Sequence, residues 1–287
     1  NNSDCKLIFY LIFNFNRMLD YNSQSNIQSE LAYLIVRLIK FSFNQYYRPY
    51  SDIQVRKFDF ILFHEGNITK EHQTYIKNNS NGLNITFLDV KKTYPKTAFD
   101  DKKNKINVDL CPPTIQSIAF PLGYKHMCHF WSMDFLDYLS DYKYIIRIDE
   151  DCFVTKFDTG LLKQMEENKI YFSSPMFQGQ DEDYVIVGLK RLWESFISVH
   201  GVSPYKSFEE IKCPYTNFMV VDVEHILNND IVCEFLDEVD DSHGIYSNRW
   251  GDLPIWGVIL STFFDSKNYE ENKNISYHHG SHRTNIN

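Results

Sequence analysis

The sequence predicts an α/β fold in which helices flank a mostly parallel central sheet. Short apolar runs rich in aromatic and β-branched residues recur along the chain, as expected of strands buried on both faces. Helical segments separate these runs, and the order strand, helix, strand implies parallel pairing through right-handed crossovers. The 287 residues contain no internal repeat and no low-complexity linker. We therefore expect a single domain.

The first half of the chain predicts three strands and two helices. Continuous apolar runs give the three strands: Lys6–Phe13, Phe58–Phe63 and Ile85–Leu88. Ser25 and Gln28 fit a capping box ahead of apolar residues at helical spacing, so a helix should run to about Asn44. The polar segment Thr69–Asn78 suits a surface helix.

The second half begins with Thr93–Pro113, a polar segment of little periodicity that we interpret as a loop. Helices are predicted from about Thr114 and over Met127–Leu139, and they lead into the central strand, Tyr144–Ile148. Three further elements follow, in order a helix, a strand and an apolar element that begins with a turn: Leu189–His200, Asn217–Val223 and Asp252–Phe264.

Charge and composition exclude several classes of protein. The formal net charge of −9 would repel nucleic-acid phosphates, so no nucleic-acid partner is expected. The six cysteines include no CxxC pair, which argues against zinc-ribbon and thioredoxin-like sites. The longest uninterrupted apolar run, Leu7–Phe13, is far shorter than the roughly 20 residues that cross a bilayer. No transmembrane segment is therefore expected in this chain.

An acidic motif, Asp149-Glu150-Asp151, directly follows the central strand. Open parallel sheets bind ligands at the carboxyl ends of their strands, and two carboxylates separated by one residue can hold a hard divalent cation. Such a cation offsets the charge of a leaving diphosphate. Taken alone, Asp-x-Asp more often marks an acidic turn. The apolar strand before the motif and the residues Phe153 and Val154 after it favour a metal site at Asp149 and Asp151.

Further motifs occur in a fixed order along the chain: Gly123–Ser132, Asp141–Asp151, Tyr215–Phe218 with Asp222, Arg249–Pro254 and Ser276–His278. Together with a weaker similarity at Phe58–Glu65, they resemble the glycolipid 2-α-mannosyltransferase family over about two thirds of the chain. The resemblance implies a single nucleotide-sugar-binding domain of the GT-A type. Its nucleotide-binding part would span about residues 1–155, and its acceptor and catalytic part about residues 156–287.

The resemblance also implies an activity, which is transfer of mannose from GDP-mannose to a glycan or glycoprotein acceptor with Mn²⁺ or Mg²⁺. The compartment implied is the Golgi or secretory lumen, with any membrane anchor missing from this chain. Two alternatives stay open: a transferase that uses another UDP- or GDP-sugar, and a catalytically silent nucleotide- or glycan-binding protein on the same scaffold.

The same resemblance assigns roles to individual residues. Metal binding falls on three of them: Asp149, Asp151 and His278. Donor binding falls on four: Tyr124, His126, Arg147 and Asp149. The catalytic carboxylates would be two aspartates of the later motifs: Asp222 and Asp252.

Two departures from the family pattern affect these roles. The family has Glu-Pro-Asp where this chain has Asp149–Asp151, a change that keeps the outer carboxylates. The family's proposed catalytic glutamate falls on Met219, which can neither attack an anomeric carbon nor accept a proton. Asp222 or Asp252 would then supply a carboxylate. Front-side attack that relies on the metal and the leaving phosphate, or inversion with Asp252 as base, are the open routes.

Overall fold

The chain folds around a seven-stranded sheet in the computed structural model, which describes the following residues: 5–10, 60–64, 66, 68–79, 85–90, 99–100, 105–106, 114–118, 120, 122–149, 152–157, 160–279 and 284–286. Across the sheet the strands are ordered as follows: β12 (Tyr269–Glu271), β8 (Phe172–Ser174), β11 (Phe218–Asp222), β6 (Tyr144–Asp149), β1 (Cys5–Tyr10), β2 (Phe60–His64) and β3 (Ile85–Asp89). Strands β1, β2, β3 and β6 are parallel, and β12 is parallel to β8. Because only β11 pairs antiparallel with its neighbours within this sheet, the predicted mostly parallel sheet is confirmed.

Three smaller sheets complete the described strands. They are formed by the following strands: β7 (Cys152–Lys156) with β13 (Ser276–His279) and β14 (Thr284–Ile286), β9 (Phe177–Gln178) with β10 (Cys213–Pro214), and β4 (Phe99–Asp100) with β5 (Lys105–Ile106). The last pair corrects the prediction of a loop over Thr93–Pro113, most of which lies outside the described residues. Because β7 begins one residue after the acidic motif, its partner β13 lies close to that motif.

The described helices surround the central sheet. Their bounds are: α1 (Lys70–Asn79), α2 (Ile115–Ile118), α3 (Leu122–His129), α4 (Phe135–Tyr138), α5 (Gly160–Asn168), α6 (Leu189–Val199), α7 (Val223–Leu227), α8 (Asp230–Asp241), α9 (Gly244–Asn248) and α10 (Asp252–Phe263). A π-helical segment, Phe130–Asp134, joins α3 to α4, so the helix predicted at Met127–Leu139 begins earlier and has a wider turn within it. The helix predicted to end near Asn44 lies outside the described residues.

Apolar side chains are buried on both faces of the sheet, which explains the continuous apolar runs in the sequence. Successive residues of a strand point to opposite faces. Ile145 of β6 belongs to a core that includes Trp131 and Trp256, whereas Ile146 packs in a second core with Met165 of α5. The first of these faces also carries Arg147 and Asp149, and it positions the candidate site.

The two parts predicted at residues 1–155 and 156–287 share one sheet, since β6 of the first pairs with β11 of the second. Their separate roles stay a prediction. Of the helices in the described part of the chain, none is long and apolar enough to cross a membrane.

Candidate active site at the end of the central strand

The acidic motif begins at the carboxyl end of β6, between a parallel and an antiparallel neighbour strand. Asp149 is the last residue of β6, and its backbone N–H donates to the carbonyl of Asn217 at 2.9 Å. This is the edge at which open α/β sheets bind ligands. Glu150 and Asp151, the second predicted metal ligand of the motif, lie outside the described residues.

Arg147, two residues before Asp149 on β6, is buried and forms ion pairs with two carboxylates. Arg147 donates through Nε to Oδ1 of Asp149 at 2.8 Å and through Nη2 to Oδ2 at 3.2 Å. Its Nη1 donates to Oδ2 of Asp252 at 2.5 Å, and its guanidinium lies 4.2 Å from the ring centroid of Trp131. Burial acts to lower the pKa of Arg147, but the two carboxylates outweigh burial and raise it. One cation therefore holds two aspartates in a site that excludes most water.

The donor-binding role predicted for Arg147 stays a prediction. The side chain is 2% exposed and its guanidinium is occupied by two carboxylates. It orients Asp149 and Asp252, and its two-pronged contact with Asp149 is the geometry in which arginine–carboxylate pairs are strongest. Positions 147 and 149 share one face of β6, which is the sequence signal for this contact.

Asp252 is the first residue of α10, where the partial positive charge of a helix N-terminus favours a carboxylate. Helix α10 is apolar on nearly all sides and buried, so core packing fixes the position of Asp252. The thiol of Cys128 lies close to Asp252, whose backbone N–H acts to lower the pKa of the thiol. Burial, followed by the Asp252 charge, raises the pKa of Cys128 to about 12, which keeps the thiol neutral. Asp252, the predicted catalytic residue, therefore lies near Asp149, with the side chain of Arg147 between the two carboxylates.

Tyr124 lies one turn before Cys128 on α3 and belongs to the same cluster. Its hydroxyl accepts a hydrogen bond from Nη2 of Arg249 at 3.1 Å. The neighbouring thiol of Cys128 and then burial raise the pKa of Tyr124 well above its usual value, so the phenol stays protonated. The structure places Tyr124 near Asp252, while its contact with a donor stays a prediction.

The prediction that Asp222 supplies a catalytic carboxylate stays a prediction, and the strand register places Asp222 away from Asp149. Because β11 is antiparallel to β6, Asp222 pairs with Tyr144 at the start of β6, and Asp149 lies at the other end. At about 3.3 Å per residue, the length of the strand separates them. Oδ1 of Asp222 accepts a hydrogen bond from the backbone of His225 at 2.9 Å and caps α7.

Met219, the position of the family's glutamate, is fully buried. It pairs in register with Arg147 on β6 and belongs to the same core as Trp131. An apolar side chain therefore fills the space beside the guanidinium. Neither Met219 nor Asp222 brings a reactive group to the site.

The prediction that His126 binds the donor stays a prediction, and the structure shows this side chain in the core. His126 is 4% exposed, and its Nδ1 lies 2.9 Å from the hydroxyl of Tyr246. Burial lowers the pKa of His126 to about 3, so the ring is neutral in the core. Nothing in the sequence motif distinguishes this buried histidine from one that faces a ligand.

A polar network that the sequence did not indicate lies beside Asp149. Asn217, whose carbonyl accepts the backbone bond of Asp149, accepts a hydrogen bond from the Tyr277 hydroxyl through Oδ1. Its Nδ2 lies 3.2 Å from Nε2 of His279, and the Tyr215 hydroxyl lies 3.2 Å from Nδ1 of the same ring. Burial is the main cause that raises the pKa of Tyr277. The network places an imidazole at the end of β6.

The histidine in that network is not the predicted one. Side chains alternate along β13, so Tyr277 and His279 face Asn217, whereas His278 is half-buried on the opposite side. In the antiparallel register His279 pairs with Cys152, which directly follows the acidic motif. His279 is therefore a second candidate ligand, and the role of His278 stays a prediction.

The residues present suit part of a metal site. A carboxylate from Asp149 and an imidazole from β13 are donors that Mn²⁺ accepts, and the third expected donor is the carboxylate of Asp151. Within the described ranges, which leave out Asp151, no three His, Cys, Asp or Glu side chains are grouped closely enough to hold a metal.

Comparison with known proteins agrees with the sequence motifs. The sequence model of the family described as Glycolipid 2-alpha-mannosyltransferase matches residues 35–285. The probable mannosyltransferase KTR4 of Saccharomyces cerevisiae is 26% identical over 185 residues, which are 55% of this chain and 38% of that protein. The glycolipid 2-alpha-mannosyltransferase of the same yeast is 21% identical over 205 residues, or 65% and 45% of the two chains. The chain thus spans less than half the length of these two relatives.

Solved structures show the same fold. The mannosyltransferase Ktr4p of Saccharomyces cerevisiae superposes with a TM-score of 0.72 at 16% identity, over 96% of this chain and 71% of that chain. Core-mannan synthase A of Aspergillus fumigatus, solved in its Mn/GDP form, gives a TM-score of 0.70 at 18% identity, over 97% and 75%. The predicted α/β fold of the GT-A type is confirmed.

Proposed function

This chain belongs to the glycolipid 2-alpha-mannosyltransferase family, and we propose that it is a metal-dependent transferase that moves mannose from GDP-mannose to a glycan or glycoprotein acceptor. The cluster of Asp149, Arg147 and Asp252 at the carboxyl end of β6 carries the proposal. Support for the donor and the cation comes from two structures to which the chain is similar, one in a Mn/GDP form and one in complex with GDP.

Asp149, Asp151 and a histidine of β13 would hold the cation, which supplies positive charge against the leaving diphosphate when it is bound. The chain needs such charge because its own net charge is −9. Asp149 can bind a metal while it pairs with Arg147. An ionised carboxylate offers about four lone-pair sites, and the guanidinium uses two of them. Arg147 also fixes the direction from which Asp149 meets the metal.

Asp252 and Tyr124 would orient the sugar. The pairing of Asp252 with Arg147 uses Oδ2, so a sugar hydroxyl would bind at Oδ1. The protonated phenol of Tyr124 can donate a further hydrogen bond. Fixing the reacting groups in this way lowers the entropic part of the barrier. Because Met219 cannot form a glycosyl-enzyme, front-side attack or inversion with Asp252 as base are the two routes, and the anomeric configuration of the product, read by NMR, separates them.

The buried, apolar Met219 favours one second candidate, a silent protein that binds nucleotide or glycan without transfer. Hydrolysis of GDP-mannose in the absence of acceptor distinguishes the two functions. Slow release of mannose by the wild-type chain supports the enzyme, whereas GDP binding without any release from GDP-mannose or other GDP- and UDP-sugars supports the silent protein.

Variants of the proposed metal ligands test the enzyme directly. We expect Asp151→Asn to lower turnover at least about a hundredfold, which is the scale of a metal's contribution to a charged transition state. One of the two variants His278→Ala and His279→Ala should have the same effect. His200→Ala is the matched control, because His200 is exposed at the end of α6. Wild-type turnover in both β13 variants would remove histidine from the metal site.

The family resemblance also supports the Golgi or secretory lumen as the compartment in which the protein modifies its acceptors. Microscopy of the tagged full-length protein in its own cells tests this. Colocalisation with a Golgi marker is expected, and a uniform cytosolic signal would contradict it.

A further inference from the structure

The chain contains four Asn-x-Ser/Thr sequences, the type that accepts N-linked oligosaccharides in secreted proteins. They begin at the following asparagines: Asn67, Asn78, Asn84 and Asn274. The structure describes all three residues only of the last sequence, which runs from Asn274 to Ser276 and leads into β13. Asn274 is exposed, so its contacts can be compared with what the modification requires.

The turn that carries Asn274 is held by its buried neighbour Asn272. Oδ1 of Asn272 accepts a hydrogen bond from the backbone N–H of Asn274 at 2.8 Å, an arrangement typical of asparagine in turns. The carbonyl of Asn272 accepts from the backbone N–H of Ile275 at 3.2 Å, and its own N–H donates to the carbonyl of Ser174 at 2.8 Å. The turn is therefore attached to the central sheet, and Asn274 has a fixed place on the surface.

The Asn274 side chain leaves free the atom that a sugar would be attached to. Nζ of Lys156 donates to Oδ1 of Asn274 at 3.2 Å and to the carbonyl of Lys273 at 3.3 Å. Because an ammonium group can only donate, this contact selects the oxygen of the amide and not the nitrogen. Nδ2 makes no hydrogen bond to any residue in the described part of the chain. An N-linked sugar keeps the amide oxygen, so the contact with Lys156 is compatible with it.

Burial of the next two residues sets the order of events. Ile275 is 0% exposed and Ser276 is 9% exposed. The hydroxyl at the third position is part of the sequence that the modifying enzyme recognises. In the folded chain this hydroxyl belongs to a residue that pairs with Lys156 of β7. Attachment therefore has to precede the pairing of β13 with β7.

A sugar on Asn274 lies away from the candidate active site. Ser276 pairs with Lys156, the last residue of β7, whereas His279 pairs with Cys152, the first. Asn274 precedes β13 and so lies at the end of this small sheet that is farther from the acidic motif. At about 3.3 Å per residue, β13 alone separates the two ends by roughly 10 Å.

We propose that Asn274 carries an N-linked oligosaccharide, transferred from a lipid-linked oligosaccharyl pyrophosphate before the chain has folded. Nδ2 loses a proton and bonds to C1 of the first sugar, while the bond from C1 to the pyrophosphate oxygen breaks and the lipid pyrophosphate leaves with the electron pair. This inference rests on the proposed secretory compartment and is independent of the proposed transferase activity.

Peptide mass spectrometry of the full-length protein, purified from a eukaryotic secretory host, tests the site. Treatment with PNGase F in heavy-oxygen water removes an N-linked glycan and leaves a labelled aspartate in place of its asparagine. Trypsin cleavage after Lys273 and Arg283 gives the peptide 274–283, in which Asn274 is the single asparagine. We expect this peptide to carry the label in the wild-type protein.

Variants separate the recognised sequence from the asparagine itself. Asn274→Gln and Ser276→Ala should each remove one glycan from the intact protein, seen as a faster band on a gel, and Ser276→Thr should retain it. Asn228→Gln is the matched control, because Asn228 is exposed but does not begin an Asn-x-Ser/Thr sequence. A band unchanged in both Asn274→Gln and Ser276→Ala would overturn the proposal.

A foreign signal peptide that directs the chain into the endoplasmic reticulum separates the site from the compartment. An unlabelled peptide 274–283 in that protein would overturn the site. A labelled peptide there, together with a cytosolic location of the natural protein, would refute the proposed compartment and leave the site standing as an acceptor. Loss of transferase activity has no bearing on either result, so the proposals fail separately.

Discussion

Arg147 is the residue on which the candidate site depends most, because it forms ion pairs with two largely buried carboxylates. Asp149 and Asp252 expose 17% and 9% of their side chains. Removing one partner of such a group leaves charge without compensation, which costs about 3–5 kcal/mol. We therefore expect Arg147→Met to lower the free energy of unfolding in urea by about this amount at neutral pH.

A second substitution distinguishes charge from packing. Adding Asp252→Asn to Arg147→Met removes one of the unpaired charges, so it should restore part of the lost stability. Lys163→Met is the control, since its ion pair with Glu167 is on the surface and contributes little. No rescue in the double variant would mean that the guanidinium stabilises the site through its contact with Trp131.

His129 predicts a dependence of stability on pH. Its ring nitrogens lie 2.9 Å from Asp134 and 2.8 Å from Asp240. Burial acts to lower the pKa of His129, but these carboxylates raise it from 6.5 to about 9. Because its pKa is higher in the folded state, protonated His129 stabilises the fold. This contribution is fully present below about pH 6.5 and is lost as pH rises through about 9. The contribution is about 1–2 kcal/mol, after a discount for the exposure of Asp240.

Urea unfolding of wild type and His129→Gln at several pH values measures this effect. The difference in stability between the two proteins should shrink between about pH 6.5 and pH 9. A constant difference over that range would show that His129 is neutral when folded. His126→Gln is the comparison, because His126 is neutral in the core throughout this range.

Sequence alone locates some residues of the candidate site and misses the position of others. Asp149 was identifiable because it directly follows an apolar strand. Asp222 has the same local setting at the end of β11, and only the antiparallel direction of that strand places it at the far edge of the sheet. His278 and His279 differ by one residue, and the register of β13 decides which faces Asn217. Pairing direction and register are set by tertiary contacts, which local patterns do not encode.

At the scale of elements, α10 is the buried helix that connects the candidate site to the core. Its Gly257 packs against β10, where an added Cβ would lie 2.8 Å from Cys213 Sγ and 3.1 Å from its Cα. Alanine is the better helix former by about 1 kcal/mol. The steric conflict should outweigh this gain, so Gly257→Ala is expected to lower the free energy of unfolding by about 1–3 kcal/mol.

Gly179→Ala is the control for this comparison, since a Cβ there meets nothing within 4 Å. It should leave the unfolding free energy nearly unchanged. Because a displaced α10 also moves Asp252 at its first residue, Gly257→Ala should weaken acceptor binding together with stability. Stability equal to wild type in Gly257→Ala would mean that the helix moves away from β10 without cost.

The elements that sequence predicted best are the buried strands. β2 and β6 are found where continuous apolar runs placed them, because burial on both faces leaves a clear pattern. The edge strand β3 is also found at its predicted place, although only Ile85 in it is buried. The π-helical turn at Phe130–Asp134 left no such signal. The backbone of that segment adapts to the packing of Phe130 and Trp131, both fully buried, against the sheet. Such a local change follows from tertiary contacts and not from residue propensity.

At the scale of the whole molecule, the sheet joins the proposed donor and acceptor sides. β6 ends at the acidic motif, while β11 and β8 connect it to the part that carries α6, α8 and α10. Asp252 on α10 and Asp149 on β6 therefore keep a fixed separation, set by one core. The alternation of strands and helices in the sequence was sufficient to predict this architecture, whereas the hydrogen bond from Trp250 to Val187, which anchors the loop of residues 181–188, left no signal in the sequence.

The net charge of −9 gives a prediction about the whole molecule. A diphosphate that approaches such a chain is repelled unless a cation is bound, so GDP should raise the melting temperature only in the presence of Mn²⁺. At about 100 times its dissociation constant, a ligand stabilises the folded state by about 2.7 kcal/mol. For a chain of this length the shift is roughly 5–10 °C.

Thermal unfolding with GDP alone, Mn²⁺ alone, both together, and both with excess EDTA measures this coupling. Only the mixture should give the full shift, and EDTA should abolish it, because the metal and the diphosphate each supply the charge that the other needs. Asp151→Asn should reduce the shift, whereas Tyr205→Ala, exposed and outside the site, should retain it. An undiminished shift with GDP and EDTA would remove the metal from the nucleotide site.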